Sequence, residues 1–201
     1  MLVHGYLAHR LWLSLLERRL RHQGFRTLNW GYPSLFQSLR EHAARLREDL
    51  FRLDNGDDGP GGPVGALHLV THSMGGIVAR AALEAGAPRR LRRIVMLGTP
   101  NAGSEVARRL APFLGRLSPP IRELSNGQDG LVHAIGMPEG LEIGVLSARY
   151  DVLVSQVSAR PQVPHHHVSI NCSHSGLVLR KDAARHVVDF LRTGHFSQDS
   201  L

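Results

Sequence analysis

The sequence predicts an α/β fold, with a mainly parallel sheet of about six strands and helices on both faces. Short apolar runs alternate along the chain with longer segments whose apolar residues recur at helical spacing. The runs at 66–70 and 94–97 are almost continuously apolar, as strands covered on both faces are. Gly and Pro mark the ends of most segments, which fits strands joined by helical crossovers.

The first third of the chain contains two predicted helices and two strand-like segments. A short strand turns into a loop within residues 2–5, and Leu13, Leu16 and Leu20 share one face of a helix at 11–21. Residues 25–30 are β-rich. Ser34 is predicted to cap a helix that extends to residue 53, and a loop rich in Gly, Asp and Pro follows at 54–65.

The rest of the chain continues the alternation, with one irregular stretch. The predicted elements are, in order, a strand at 66–70, a helix at 74–85, strands at 94–97, 143–146 and 168–170, and a helix at 181–191. Residues 101–140 are rich in Pro and Gly and contain one predicted helix. We therefore expect one domain over residues 1–201, with an irregular, lid-like insert at about 101–140.

Composition limits the classes of function. The formal net charge of +7 comes almost entirely from arginines, which are spread over many segments and alternate with acids. This pattern favours a solvated surface over a nucleic-acid face, and it leaves transient contact with a membrane surface open. No apolar run approaches the roughly 20 residues of a membrane span, and no signal-peptide layout is seen, so a cytoplasmic location is expected.

Two further features bear on metal and redox chemistry. Cys172 is the only cysteine, so no intramolecular disulfide is expected. The histidines at 165–167 are adjacent in the chain, and adjacent histidines rarely converge on one ion. We interpret them as part of a polar loop that precedes a strand, and we expect no metal site.

The motif with the clearest chemistry is Thr71-His72-Ser73-Met74-Gly75-Gly76, between a buried strand and a helix. A sharp strand-to-helix turn at Ser73 would strain the backbone and expose the hydroxyl at the edge of the sheet. Gly75 would avoid a clash in the turn, and Gly76 would let the helix pack close to the sheet. Thr71 stands where such turns usually have glycine, which predicts a slightly wider or tilted turn.

A base and an acid are expected beyond the nucleophile. Asp151 follows the strand at 143–146, and His174 follows the strand at 168–170, so both come at carboxyl ends of strands. A carboxylate there can orient an imidazole, which can take the proton of Ser73. Asp129 is the main alternative acid. Among the other histidines, His72 is expected to point elsewhere, and the rest lie before the strand, in the last helix or beyond it.

Backbone amides and pocket residues complete the candidate site. An oxyanion needs two N–H donors, and the amides of Tyr6 and Met74 are the candidates, with Gly5 allowing close approach. The predicted pocket residues are Leu7, Thr99, Pro100 and Phe113. The apolar side chains of the insert either form an acyl-chain pocket or lid, or pack one crossover helix on the sheet.

With these residues in hand, the chain resembles the α/β-hydrolase superfamily, especially its small bacterial lipase-like and esterase-like members. The matching segments occur in the family's order along almost the whole chain: Val3-His4-Gly5-Tyr6, Tyr32-Pro33-Ser34, the Ser73 motif, Leu97-Gly98-Thr99-Pro100, Asp151, and Ser173-His174-Ser175-Gly176. The resemblance implies a Ser73, Asp151 and His174 triad, an oxyanion hole from Tyr6 and Met74, and neither a metal nor an organic cofactor. Thr71 departs from the family pattern.

The function predicted from these features is hydrolysis of a small-molecule carboxylic ester by way of an acyl-enzyme. An acyltransferase on the same triad is one alternative, and a non-catalytic binding protein with the same fold is another. A basic binder of membranes or nucleic acid is the third. The natural substrate, the preferred acyl-chain length and the oligomeric state are left open.

Overall fold

A computed structural model describes residues 1–56, 65–125 and 131–197, and its centre is a six-stranded, all-parallel sheet. The strands are β1 (Leu2–Val3), β2 (Asn29–Trp30), β3 (Leu67–His72), β4 (Leu91–Leu97), β5 (Glu142–Ala148) and β6 (His166–Ile170). Their order across the sheet is β2-β1-β3-β4-β5-β6, with every neighbouring pair parallel. The predicted fold class is confirmed. Because all carboxyl ends lie at one edge, the loops after β1, β3, β4, β5 and β6 meet there.

Helices cover both faces of the sheet, as predicted. They are α1 (Ser14–His22), α2 (Leu39–Asp54), α3 (Met74–Leu83), α4 (Glu105–Leu114), α5 (Pro119–Glu123), α6 (Leu131–Ala134), α7 (Gln156–Ala159), α8 (Gly176–Leu179) and α9 (Lys181–Thr193). A 3₁₀ turn at Arg10–Leu13 precedes α1. One core cluster joins α1, α8 and α9 to the sheet, and a second joins α2 and α3 to its other face.

The start of α2 differs from the prediction. Ser34 does not cap a helix; it is buried, and its hydroxyl donates to the carbonyl of Ala8 at 3.3 Å. The helix begins four residues later, where Ser38 accepts a hydrogen bond from the Glu41 amide and Glu41 accepts one from the Ser38 amide. This reciprocal capping box satisfies two backbone N–H groups, and it is the stronger local signal for the start of the helix.

Strand boundaries also differ by a few residues. Of the β-rich segment at 25–30, only Asn29 and Trp30 pair, because the neighbouring β1 offers only two residues. At the other edge, β6 begins at His166, so the expectation that the histidines at 165–167 all precede the strand is wrong for His166 and His167. The pairing of His166 and His167 with β5 places them in a strand although their side chains are polar.

The insert is more helical than predicted, since its described part contains α4, α5 and α6. Arg80 of α3 connects this region to the body of the protein. Its buried guanidinium donates to the carbonyls of Asn101, Val132, Ile135 and Gly136. Burial lowers the pKa of Arg80 to about 10, so it stays charged at neutral pH. The division into one domain with a lid-like insert stays a prediction.

Exposed arginines form short-range ion pairs on the helices. Arg21 pairs with Glu17 at 2.6 Å, and Arg108 and Arg109 both pair with Glu105. Such exposed pairs are screened by water and contribute little to the free energy of folding, so they indicate a solvated face. Over the three described ranges, no helix combines the length and the apolar character needed to cross a bilayer. The cytoplasmic location stays a prediction.

Candidate active site

Ser73 occupies a strained turn between the end of β3 and the start of α3. Its backbone angles are φ 54° and ψ −127°, a conformation that costs a non-glycine residue about 1–3 kcal/mol. The Ser73 amide donates to the Leu97 carbonyl at 2.8 Å, and its own carbonyl accepts from the Gly76 amide at 3.0 Å. These bonds hold the sharp turn that the sequence predicts, and Ser73 lines a cavity at the sheet edge.

Close packing around this turn explains its two glycines. A Cβ on Gly75 would lie 2.5 Å from the His4 carbonyl oxygen, and one on Gly76 would lie 2.1 Å from Oγ1 of Thr99. Both distances are far below van der Waals contact, so neither position accepts a side chain without a shift of backbone or of a buried residue. Thr71 is fully buried, and its hydroxyl donates to the Val95 carbonyl at 3.4 Å.

Asp151 and His174 are in direct contact. The His174 Nδ1 lies 2.6 Å from Asp151 Oδ2, and the other carboxylate oxygen accepts from the amides of Leu153 and Val154 at 2.9 Å each. Burial raises the pKa of Asp151, but the hydrogen bond and charge of His174 and the two amides outweigh it and hold the pKa below 3.8. An ionised carboxylate only accepts, so the proton of the ring lies on Nδ1 and Nε2 is left as a base.

Ser73, which follows β3, and His174, which follows β6, line the same cavity at the carboxyl edge of the sheet. Within the described ranges no hydrogen bond joins the Ser73 hydroxyl to the His174 ring. In enzymes without substrate this contact is often long and tightens only when substrate binds. The alternative acid, Asp129, lies outside the described residues.

The two predicted oxyanion donors flank Ser73. Neither the Tyr6 amide nor the Met74 amide donates a hydrogen bond to another residue of the described part of the chain. A Cβ on Gly5 would lie 2.7 Å from the Ser73 Cβ, so the loop after β1 packs directly on Ser73. Leu7, the next residue of this loop after Tyr6, also has a positive φ of 55°. Two strained non-glycine residues therefore border the same cavity.

Apolar side chains form most of the cavity wall, which encloses about 370 Å³. Its lining residues are Tyr6, Leu7, Ala8, Trp12, His72, Ser73, Pro100, Ser104, Val106, Ala107, Leu110, Ile121, Leu124, Leu153, Val154, His174 and Ser175. Ser73 and His174, the predicted nucleophile and base, thus share a largely apolar space. Such a space fits an apolar group joined to a reactive polar one.

Two of the four predicted pocket residues line this cavity and two do not. Leu7 and Pro100 are in its wall. Thr99 is fully buried under α3, against Gly76, because the close helix–loop packing there leaves no path to the cavity. Phe113 lies on α4 but is 79% exposed, since it is on a different side of the helix from Ala107, which packs inward. Neither residue belongs to the wall of this cavity, and their role in the pocket stays a prediction.

His72 does not point away from the site. Its ring lies 4.7 Å from the His174 ring and lines the cavity, and its Nε2 lies 3.4 Å from the His174 carbonyl oxygen. Burial, and then the nearby His174, lower the pKa of His72 to about 3. His72 is therefore uncharged at neutral pH and adds no positive charge beside the base.

Sequence analysis missed part of the cavity wall. Leu153 and Val154 come from the loop that holds Asp151, and Trp12 comes from the turn before α1. The apolar run directly after Asp151 was a usable signal, since a loop that carries a catalytic acid also borders the site. Trp12 is not part of a periodic apolar pattern, and only the folded chain places it in the same cavity wall as Leu7.

The histidine rings at 165 and 167 contact other groups of the protein. His167 is hydrogen-bonded to Ser147 at 2.8 Å and to Arg160 at 3.0 Å, while the His165 ring contacts the Val163 carbonyl. In the part of the chain that the structure describes, no three His, Cys, Asp or Glu side chains are grouped to hold a metal ion.

Comparison with protein families gives one match that covers most of the chain. The profile of the family described as the PGAP1-like alpha/beta domain matches residues 59–191, about two thirds of the sequence. This range includes Ser73, Asp151 and His174 and begins after the loop that carries Tyr6. No curated protein matches the chain in sequence.

Solved structures with the same fold include several lipases. The mature form of the Bacillus licheniformis lipase BlEst2 is 16% identical, with a TM-score of 0.68 over 96% of this chain and 90% of that one. Lipase B of Aspergillus fumigatus is 13% identical, with a TM-score of 0.72 over 95% of this chain and 51% of that one. Phospholipase PlaB of Legionella pneumophila, in complex with thio-NAD, is 19% identical, with a TM-score of 0.61 over 79% and 43%. The chain spans 46% of the propeptide form of BlEst2, about half of that protein.

Proposed function

The chain belongs to the family of PGAP1-like alpha/beta domains, and we propose that it is a serine hydrolase that cleaves carboxylic esters. Its sheet and helices are those of α/β-hydrolase lipases and esterases, which supports hydrolysis as the general activity. One observation carries the finer assignment. A strained serine shares an apolar cavity with a histidine whose Nδ1 is bound by a buried, ionised aspartate.

The mechanism begins with activation of Ser73. Nε2 of His174 removes the hydroxyl proton as the Ser73 oxygen attacks the ester carbonyl carbon. The resulting oxyanion accepts hydrogen bonds from the amides of Tyr6 and Met74. Asp151 stabilises the imidazolium of His174, which then gives its proton to the leaving alcohol oxygen. The acyl group remains on Ser73.

Water completes the cycle. His174 takes a proton from a water molecule, whose oxygen attacks the acyl carbon and forms a second oxyanion in the same position. Return of the proton to the Ser73 oxygen releases the carboxylic acid. Neither half of the cycle needs a group that the chain lacks.

The cavity supports an acyl chain as the apolar part of the substrate. Val106, Ala107 and Leu110 of α4 line it together with Leu153, Val154 and Ser73. A chain seated there would bury most of its CH₂ groups, each contributing about 0.8 kcal/mol. We therefore assign part of the acyl-chain pocket to the insert. The sequence alone left open whether the insert forms such a pocket or packs a crossover helix on the sheet.

Leu110→Trp is expected to shorten the preferred acyl chain. The larger ring would take up part of the cavity that Leu110 lines, so kcat/KM for p-nitrophenyl octanoate should fall about tenfold while that for the acetate changes about twofold or less. Leu114→Trp is the matched control, because Leu110 and Leu114 are 41% and 40% exposed on the same helix but only Leu110 lines the cavity. Equal effects of the two variants on octanoate would contradict the assignment of the pocket.

A lipid surface is the partner that fits the rim of this cavity. Leu7 and Trp12 line the cavity and are 73% and 48% exposed. Phe113 on α4 and Leu117 just after it are 79% and 75% exposed. Helix α4 also carries Arg108 and Arg109, which both pair with Glu105. An exposed apolar face with an excess of arginine is typical of helices that lie on anionic membranes.

Vesicle co-sedimentation tests this contact. The protein should sediment with vesicles of phosphatidylglycerol, less with phosphatidylcholine alone, and less as salt rises. Replacement of Phe113 and Leu117 by Ser should lower the bound fraction several-fold, while Leu28→Ser, at the amino-terminal edge of the sheet, should not. Salt-dependent retention on DNA without binding to vesicles would favour the nucleic-acid alternative instead.

A further inference from the structure

His4 lies directly before the loop that supplies the Tyr6 amide, and it is fully buried. Its ring stacks on Tyr32, with ring centres 4.3 Å apart and planes 16° from parallel. His4 is not part of the cavity wall, whereas Tyr6 and Ser73 are. The ring therefore lies behind the loop, on the side away from the substrate.

Both nitrogens of the His4 ring face backbone groups whose hydrogen-bonding roles are fixed. Nδ1 lies 3.0 Å from the carbonyl oxygen of Gly5, which can only accept, so the ring proton is on Nδ1. Nε2 lies 3.4 Å from the Tyr32 amide and accepts from it. The Tyr32 hydroxyl donates to the His4 carbonyl at 2.7 Å. Burial lowers the pKa of His4, which keeps the ring in this neutral state.

These contacts bind two successive carbonyls of the loop, those of His4 and Gly5. The peptide between Gly5 and Tyr6 is trans, and in a trans peptide the C=O and N–H groups point in opposite directions. Because the Gly5 carbonyl is directed at the His4 ring, the Tyr6 N–H is directed away from it. Gly5 packs against the Cβ of Ser73, and Tyr6 lines the cavity that Ser73 also lines.

We propose that His4 is a positioning residue for the oxyanion hole, which fixes the Tyr6 amide toward Ser73 by donating to the Gly5 carbonyl. This inference rests on the proposed hydrolase function and adds a residue to its machinery. A purely space-filling role is the alternative, since the ring also packs against Tyr32. The two roles differ in which substitutions they tolerate.

Three substitutions at His4 separate these roles. His4→Asn keeps an N–H donor near the place of Nδ1 but removes most of the ring. His4→Phe keeps the ring and removes the donor, and His4→Gln moves its amide outward to the place of Nε2. His42→Phe is the matched control, because His42 is also fully buried against Tyr32 but lies on α2, away from the Gly5 carbonyl.

Steady-state hydrolysis of p-nitrophenyl butyrate, with urea unfolding of each variant, gives the comparison. His4→Phe and His4→Gln should lower kcat about 10- to 100-fold with KM changed about twofold or less, as expected when one oxyanion donor is misdirected. His4→Asn should keep kcat within about fivefold of the parent, although it leaves a larger cavity. The Ki of an alkyl trifluoromethyl ketone, whose hemiketal oxygen occupies the oxyanion hole, should rise in the same order.

Other outcomes overturn the proposal. If His4→Phe keeps the parent's kcat, or if activity follows side-chain size so that Asn is the worst of the three, His4 only fills space. If His4→Phe does not fold, the order of His4→Asn and His4→Gln decides between the roles. An unreactive parent whose Ser73 is not labelled by a fluorophosphonate would overturn the hydrolase function itself, whereas an active parent with unaffected variants would overturn this inference alone.

Discussion

Ser73→Ala is expected to lower the kcat for ester hydrolysis by about 10⁴-fold or more and to abolish labelling by a fluorophosphonate. The only atom removed is the hydroxyl oxygen, which the mechanism uses as nucleophile. The backbone angles of residue 73 are equally strained with alanine, so the free energy of unfolding should change by less than about 1 kcal/mol. Turnover of p-nitrophenyl butyrate and in-gel fluorescence of the label measure the two effects.

Two companion variants make this result specific. Ser173→Ala removes an exposed hydroxyl from the loop that carries His174, and it should keep activity and label. Ser73→Gly should be inactive but more stable than the parent by about 1 kcal/mol, because glycine relieves the positive φ. A label that persists in Ser73→Ala would mean that another residue is the nucleophile.

The sheet could be predicted from the sequence because buried strands leave an unmistakable pattern. The apolar run before Ser73 and the run at 94–97 correspond to the central strands β3 and β4. Edge strands were harder, because β2 has only two paired residues and β6 begins with histidines. These segments are strands because they pair with a neighbouring strand. The sequence of a segment does not show which strand will lie beside it.

Helix starts were predictable where a local hydrogen bond decides them. The capping box of Ser38 and Glu41 was present in the sequence, yet Ser34 follows a Tyr-Pro turn and was preferred as the cap. The structure uses Ser34 to bind the Ala8 carbonyl, a contact between segments 26 residues apart. This distant contact overrides the preference of Ser34 for a helix cap, and sequence patterns do not reveal such contacts.

At the site, chain order and strand ends were enough to bring Asp151 and His174 together. Their pairing needed only the rule that the carboxyl ends of parallel strands meet at one edge. The directions of side chains could not be predicted from the sequence. Thr99 follows β4 as predicted, but its side chain packs inward under Gly76. Phe113 shares α4 with Leu110 but points to solvent, because the rotation of that helix is set by tertiary contacts.

Asp151→Asn is expected to reduce kcat by about 10³- to 10⁴-fold while leaving KM nearly unchanged. In the parent, the carboxylate of Asp151 holds the His174 proton on Nδ1 and stabilises the imidazolium. The neutral amide of Asn does neither well. The Leu153 and Val154 amides would then donate to a neutral oxygen in place of a charged one, and these weaker bonds should lower the free energy of unfolding by about 1–3 kcal/mol. Steady-state kinetics and urea unfolding give the two values.

The pH dependence of that stability loss identifies the ionised carboxylate as its cause. The folded pKa of Asp151 is held below its usual 3.8, so the parent gains stability from this group above pH 4. As pH falls through the lowered pKa, the folded carboxylate is protonated and the gain is lost, so the parent and Asp151→Asn should converge in strongly acidic solution. Asp182→Asn, which alters an exposed pair with Arg180, should keep full activity. If Asp151→Asn also keeps the parent's kcat, the histidine is oriented by another acid, and Asp129 becomes the residue to substitute.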